Sequence, residues 1–411
     1  MTISNTSQFS LDSRPSTDAS LLDAQAELMT VAVRPQRIMV RGSGSYLWDH
    51  EGRRYLDFVQ GWAVNALGHA PPEVATALHA QAQTLITASP AFHNAPQLSF
   101  ARELTRAAGL SQVHFTNSGA EANEAALKLA RKWGRLSRGG AYQVVTTLGS
   151  FHGRTLALMA ASGKPGWDAL FPPNMPGFVK VPYGDVAAVA AQIGPETVAI
   201  MVEPIQGEAG VVVPPEGYLR DLRRLCDQHG LLLICDEVQT GMGRTGSLFA
   251  FQRDGVKPDI LTLGKGLGGG VPISAVLANE RASCFEPGDQ GGTYNGNPLM
   301  VAVARSVFEV VSRPDFLATV RAREHYLEQR LTTLCADYGL GLRGRGLLWA
   351  LVLPEPTAEA IVARCFAAGL LINAPRPNLL RLMPSLRVTE AEIDEFMRLL
   401  GGALERAYPK G

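Results

Sequence analysis

Pro258-Asp259-Ile260-Leu261-Thr262-Leu263-Gly264-Lys265-Gly266-Leu267-Gly268-Gly269-Gly270 begins with an apolar run and ends with a lysine set among five glycines. The run reads as a short buried strand. An amine at the end of such a strand is costly unless it has a partner or a task there. The glycines allow a tight turn and let another molecule come close to the amine. Taken alone, a lysine in a glycine loop is most often a surface charge. Upstream, Leu231-Leu232-Leu233-Ile234-Cys235-Asp236-Glu237 tips that balance, because a second apolar run ends in two carboxylates.

An acid at one buried strand end and a lysine at another are the parts of a pyridoxal phosphate site. There the lysine forms the Schiff base and the acid holds the pyridine nitrogen protonated. Further strand ends carry chemistry of the same kind. Val113-His114-Phe115-Thr116-Asn117 reads as a strand followed at once by a helix, with Ser118 and Glu121 in capping-box spacing. Ala122, Ala125, Ala126, Leu129, Ala130 and Trp133 continue as one apolar stripe. The small-residue turn Ser118-Gly119-Ala120 thus offers free N–H groups and the positive end of a helix dipole, a ready phosphate site.

Residues 143–147 form the next strand, followed by Phe151-His152-Gly153-Arg154. An aromatic there can stack on a planar ring, and an arginine can clamp a carboxylate. His152 reads as structural. Residues 198–203 make another buried strand ending at Glu203, before the loop that holds Glu208. From about residue 113 to 278 strands alternate with helices, the sign of a mostly parallel sheet covered on both faces. Ligands bind beyond the carboxyl ends of such strands, where Asn117, Phe151, Glu208, Asp236 and Lys265 all fall.

The remaining segments frame this core. Residues 44–58 carry a hairpin signal about His50-Glu51-Gly52. Residues 72–107 read as helical with breaks near Pro90 and Pro96, and the segment 291–298 opens a long helical region to about residue 338. Beyond it, apolar runs at 347–353 and 379–383 mix with helical patterns at 357–368 and 390–407, an α+β unit. Arg381 stands in an apolar run, where its charge needs a partner such as a bound carboxylate.

With 411 residues, 46% hydrophobic and 18% charged, the chain is expected to form two to three structural units with a large core. Its zero net charge points to neither nucleic acid nor an anionic membrane surface. Five scattered cysteines without a CxxC fit reduced thiols in a cytoplasmic protein rather than disulfides or a zinc site. No apolar run approaches a membrane span, and the Ser- and Thr-rich first residues lack a secretory h-region. Residues 1–30 read as a flexible tail.

Asp236-Glu237-Val238-Gln239-Thr240-Gly241-Met242-Gly243-Arg244-Thr245-Gly246 together with Lys265 resembles the class III pyridoxal-phosphate aminotransferases, in their acetylornithine/ornithine/4-aminobutyrate branch. The resemblance runs from about residue 40 to the end. It implies the fold-type I architecture: a large α/β domain with a mostly parallel seven-stranded sheet, and a smaller α+β domain assembled from both chain ends. On this chain that places the small domain at 31–75 and 316–411 and the large domain at 76–315. It also implies a homodimer with active sites at the interface.

Carried over, the resemblance makes Lys265 the Schiff-base lysine and Asp236 the partner of the pyridine nitrogen. Gln239 then lies near the ring hydroxyl and Phe151 on the ring, with Glu203 beside the cofactor. Ser118, Gly119 and Ala120 bind phosphate, and Thr293 does so from the neighbouring subunit. Arg154 resembles the arginine for the distal or α-carboxylate of the substrate, and Arg381 the one for the α-carboxylate of glutamate and 2-oxoglutarate. Glu208 resembles the acid that pairs with Arg381 when an ω-amine donor is bound, and Gly292 borders the substrate. The implied reaction moves the terminal amine of an ω-amino acid to 2-oxoglutarate. N2-acetylornithine, a step of arginine biosynthesis, is the expected donor. Ornithine, 4-aminobutyrate, a diamine or β-alanine, and an aminomutase or racemase reaction, are the alternatives.

Overall fold

The structure, a computed structural model, describes residues 19–408. Most of the expected flexible tail lies outside the described residues, and a 3-10 helix spans Ala19–Glu27.

Seven strands form the central sheet. From edge to edge they are Gln112–Thr116, Ser274–Ala278, Ile260–Leu263, Leu232–Asp236, Thr197–Val202, Gln143–Thr147 and Phe178–Val181. The last five pair in parallel, and Ser274–Ala278 runs antiparallel to both its neighbours. The three middle strands are buried along their whole length. They are continuously apolar because both faces are covered. Alternate residues divide between the two sides: Met201 and Ile234 pack with Ala126 and Leu129 of the helix Gly119–Ser137. Ile200, Leu233 and Cys235 face the larger core, with Leu222 and Cys226 of the helix Tyr218–His229.

The chain's two ends meet in one small sheet. Met39–Ser43, Tyr46–Asp49 and Arg54–Asp57 run antiparallel, and Leu370–Leu371 adds in parallel to the last of them. A second small sheet joins Gly341–Arg345, Leu348–Val352, Leu379–Leu382 and Asn373–Arg376 in antiparallel pairs. Phe58 and Phe396 stack at 4.1 Å and tie the N-terminal hairpin to the last helix, Glu390–Glu405.

The break expected near Pro90 falls in the gap between two helices, and the one near Pro96 does not. Pro96 does not break a helix but sits in the first turn of Ala95–Ala108, where a missing N–H costs nothing. The real gap lies between that helix and Pro72–Ala82. The edge strand Phe178–Val181 gave no clear signal in the sequence, being four residues long and only half-buried. All five cysteines are free. Among the described residues no helix is long and apolar enough to cross a membrane.

Candidate active site

Three parallel strands deliver side chains to one cavity of about 270 Å³. Asp236 closes its strand, Glu203 follows Thr197–Val202 directly, and Lys265 comes two residues after Ile260–Leu263. Lys265 begins a short 3-10 turn with φ +43°, a left-handed backbone that few non-glycine residues adopt. All three residues line the cavity, with Phe151, Arg154 and Glu208 from the loops.

Asp236 is held by neighbours on every side. Its Oδ2 accepts from Asn123 Nδ2 and His152 Nδ1, both at 2.8 Å, and its Oδ1 from the N–H of Val238 at 3.1 Å. Thr262 Oγ1 donates to Asn123 Oδ1 at 2.7 Å, which fixes the amide so that its NH₂ faces the carboxylate. Burial disfavours the imidazolium of His152, yet the hydrogen bond and charge of Asp236 outweigh it and raise its pKa. His152, read from the sequence as structural, is therefore a direct partner of the central acid. A histidine one residue past an aromatic at a strand end carries no signal of its own that would have shown this.

Glu203 accepts from the N–H groups of Phe151 at 2.9 Å and Gly207 at 3.3 Å. Burial pushes its pKa up to about 7, with His152 opposing and Asp236 adding to the rise. Burial likewise pushes Lys265 below the ordinary lysine range. Glu208 opposes that shift and Arg381 adds to it.

The substrate end is built on an ion pair. Arg381 is fully buried, with Nη1 at 2.8 Å from Glu208 Oε1 and Nε donating to Asn373 at 3.2 Å. Neither terminal nitrogen makes a well-directed hydrogen bond among the described residues. Burial would raise the pKa of Glu208, but Arg381 and Lys265 hold it low. Phe151 meets Trp167 edge-on at 5.6 Å, and Arg154 lies over the same indole at 5.8 Å.

Cofactor fit can be judged from these groups. Gln239 Oε1 is buried and has no partner among the described residues, an acceptor open to a ring hydroxyl. Gly119 and Ala120 line the cavity at the start of the helix Gly119–Ser137. There the first N–H groups have no intrahelical acceptor. A Cβ on Gly119 would meet Val238 Cγ1 at 2.7 Å, so only glycine lets Val238 pack there. Val238 itself lines the cavity and escaped notice in the sequence. An acid, an amine, an open acceptor, a phosphate cradle and an aromatic wall fit a phosphorylated pyridine.

Not every expected residue reaches the cavity. Ser118 is spent on the capping box, its Oγ accepting from Glu121 N while Glu121 Oε2 accepts from Ser118 N. Asn117 bonds Glu121 and Asn295 instead. Gly292 and Thr293 are exposed and do not line this cavity.

The family model for aminotransferase class-III matches residues 29–404. The chain belongs to the class-III aminotransferases. Acetylornithine aminotransferase 2 of Bordetella bronchiseptica is 55% identical over 381 residues, covering 92% of this chain and 96% of that relative. The N-acetylornithine aminotransferase of Stenotrophomonas maltophilia superposes with a TM-score of 0.80 at 36% identity, over 91% of this chain and 97% of the other. The ornithine aminotransferase of Toxoplasma gondii crystallised with oxidised glutathione, with partial pyridoxal phosphate occupancy at its active site, gives 0.91 at 32% identity over 97% of each chain. Pyridoxal phosphate is the cofactor of this aminotransferase.

Proposed function

We propose that this aminotransferase moves the terminal amine of N2-acetylornithine to 2-oxoglutarate, giving the semialdehyde and glutamate, as a step of arginine biosynthesis in the cytoplasm. The observation that carries the aminotransferase chemistry is the meeting of Lys265, Asp236 and Glu208 on one cavity, with the buried Arg381 paired to Glu208 behind it. The donor follows from relatives of that name spanning nearly the whole chain.

Pyridoxal phosphate, when bound, supplies an electron-accepting ring that stores the amino group between donor and acceptor. Lys265 would hold it covalently and Asp236 would hold its ring nitrogen. Gln239 would reach its hydroxyl, the N–H groups of Gly119 and Ala120 its phosphate, and Phe151 and Val238 its faces. Glu203 fixes Phe151 through the backbone. Once the donor amine has displaced it, Lys265 Nζ, its pKa lowered by burial, would take the proton from the carbon bearing that amine, and in the second half-reaction it would supply a proton to the acceptor carbon. Arg154 receives the donor carboxylate. Glu208 neutralises Arg381 while the ω-amine donor is bound, because that donor brings no carboxylate to this end. When 2-oxoglutarate enters, its α-carboxylate displaces Glu208 and takes the open guanidinium nitrogens.

Thr293 and Gly292 act, in this reading, on the cavity of a second subunit in a homodimer. The test is a panel of N2-acetylornithine, ornithine, 4-aminobutyrate and β-alanine with 2-oxoglutarate, reading glutamate. The expected result is fastest formation with N2-acetylornithine. Glutamate from 4-aminobutyrate alone would end the proposal, and consumption of donor without 2-oxoglutarate would point to an isomerase.

A further inference from the structure

A second cavity, of about 300 Å³, lies beyond the strand end that carries Glu203. Arg220 comes to it from the helix Tyr218–His229, Arg253 from the 3-10 turn Ala250–Asp254, and Arg345 from the end of the strand Gly341–Arg345. Three guanidinium groups from three separate elements thus converge on one polar space.

Their charge is poorly matched by the chain itself. Among the described residues, neither Arg253 nor Arg345 has an acid within 4 Å, although Arg345 is half-buried. Arg220 has only Glu216, at 3.9 Å, and the Glu216 side chain is 96% exposed. The carboxylate of Glu203 is already taken by the N–H groups of Phe151 and Gly207. Asp254 is the one remaining acid on the wall, against two unpaired arginines. Arg253 acts on Arg345 as a like charge, while Asp254 and Glu324 oppose it from beyond ion-pair distance. Tyr218, 3% exposed, is also part of the wall; the Gly184 backbone approaches its hydroxyl, which has no side-chain partner among the described residues.

A half-buried cation without an ion-pair partner, with two more guanidinium groups around the same space, is costly unless something of opposite charge completes it. We infer that this cavity is a binding site for a small anion bearing a phosphate or carboxylate group, held by Arg253, Arg345 and Tyr218. Such an anion would bridge the C-terminal sheet to the central one. It would also lie close to the cofactor. Tyr183 Oη donates to the carbonyls of Glu203 at 2.9 Å and Pro204 at 3.1 Å, and both residues belong to this wall. The Glu203 side chain in turn holds Phe151 on the other cavity.

The test uses the cofactor-saturated enzyme, so that the phosphate cradle at Gly119 is filled. Inorganic phosphate and malonate are titrated separately against chloride at constant ionic strength, with binding read by calorimetry. The wild type is expected to bind at least one of them saturably. Saturation by phosphate assigns phosphate chemistry to the site, and saturation by malonate alone assigns carboxylate chemistry. Arg345→Gln and Arg253→Gln are each expected to raise the half-saturating concentration about tenfold, the size of one lost charge-assisted bond. Arg253 is exposed, so its variant keeps the fold even if the other does not. No saturable binding by either anion, or binding left unchanged in the Arg253 variant, overturns the inference. The latter result would place the anion on the substrate arginines instead.

Discussion

Asp236 and Glu237 follow one another at a buried strand end, and a one-residue step sends them to opposite sides of the sheet. Asp236 enters the cofactor cavity. Glu237 turns away, accepting from Ala250 N at 2.6 Å and Phe251 N at 2.8 Å. Asp236→Asn is expected to lower kcat by about 10²–10³-fold, as for loss of one preorganised electrostatic partner. A rate within threefold of wild type would deny it the role. His152→Phe removes a hydrogen bond to a charged group, and a loss of about 10–100-fold is expected. Glu237 should show itself in stability alone. Burial raises its pKa to about 7, so the folded state holds a proton the unfolded state has lost. Its contribution is therefore full below about pH 4.5 and declines as pH rises through 7. Urea midpoints of wild type and Glu237→Gln should favour the wild type more at pH 5.5 than at pH 8.5. The opposite trend would contradict the assignment.

The turn from Gln112–Thr116 into Gly119–Ser137 is the element most legible from the sequence, because Ser118, Glu121 and the apolar stripe all state it locally. What could not be read there was whether Ser118 also touches the cofactor. Its hydroxyl is committed to the cap, so Ser118→Ala should cost about 1 kcal/mol of stability with a nearly unchanged rate. A large fall in cofactor affinity instead would return Ser118 to the site. The loop after Glu203 is the reverse case. A side chain on Gly207 would land on Gln239 Oε1, a contact between distant segments that neither residue announces. Gly207→Ala should displace Gln239 and weaken the cofactor, seen as a raised pyridoxal phosphate requirement. Strand ends are visible in sequence because burial writes them as apolar runs. Partners such as His152, Val238 and Trp167 are set by tertiary packing, and nothing local records them.

The molecule as a whole brings its chain ends together in one sheet and sets Arg381, from the C-terminal part, against Glu208 of the central part. That pairing was foreseeable from a charge in an apolar run, though only a family resemblance supplied the partner. Thr293 and Tyr294 stand exposed, Tyr294 at 66%, on a segment expected to serve a second subunit. Sedimentation should give twice the chain mass, and a monomer with full activity would remove that role. The chemistry of the whole site rests on which lysine carries the cofactor. Borohydride reduction of the coloured enzyme, followed by peptide mapping, should place the pyridoxyl group on Lys265. The same group on Lys164 or any other lysine, with Lys265 unmodified, would contradict the site described here.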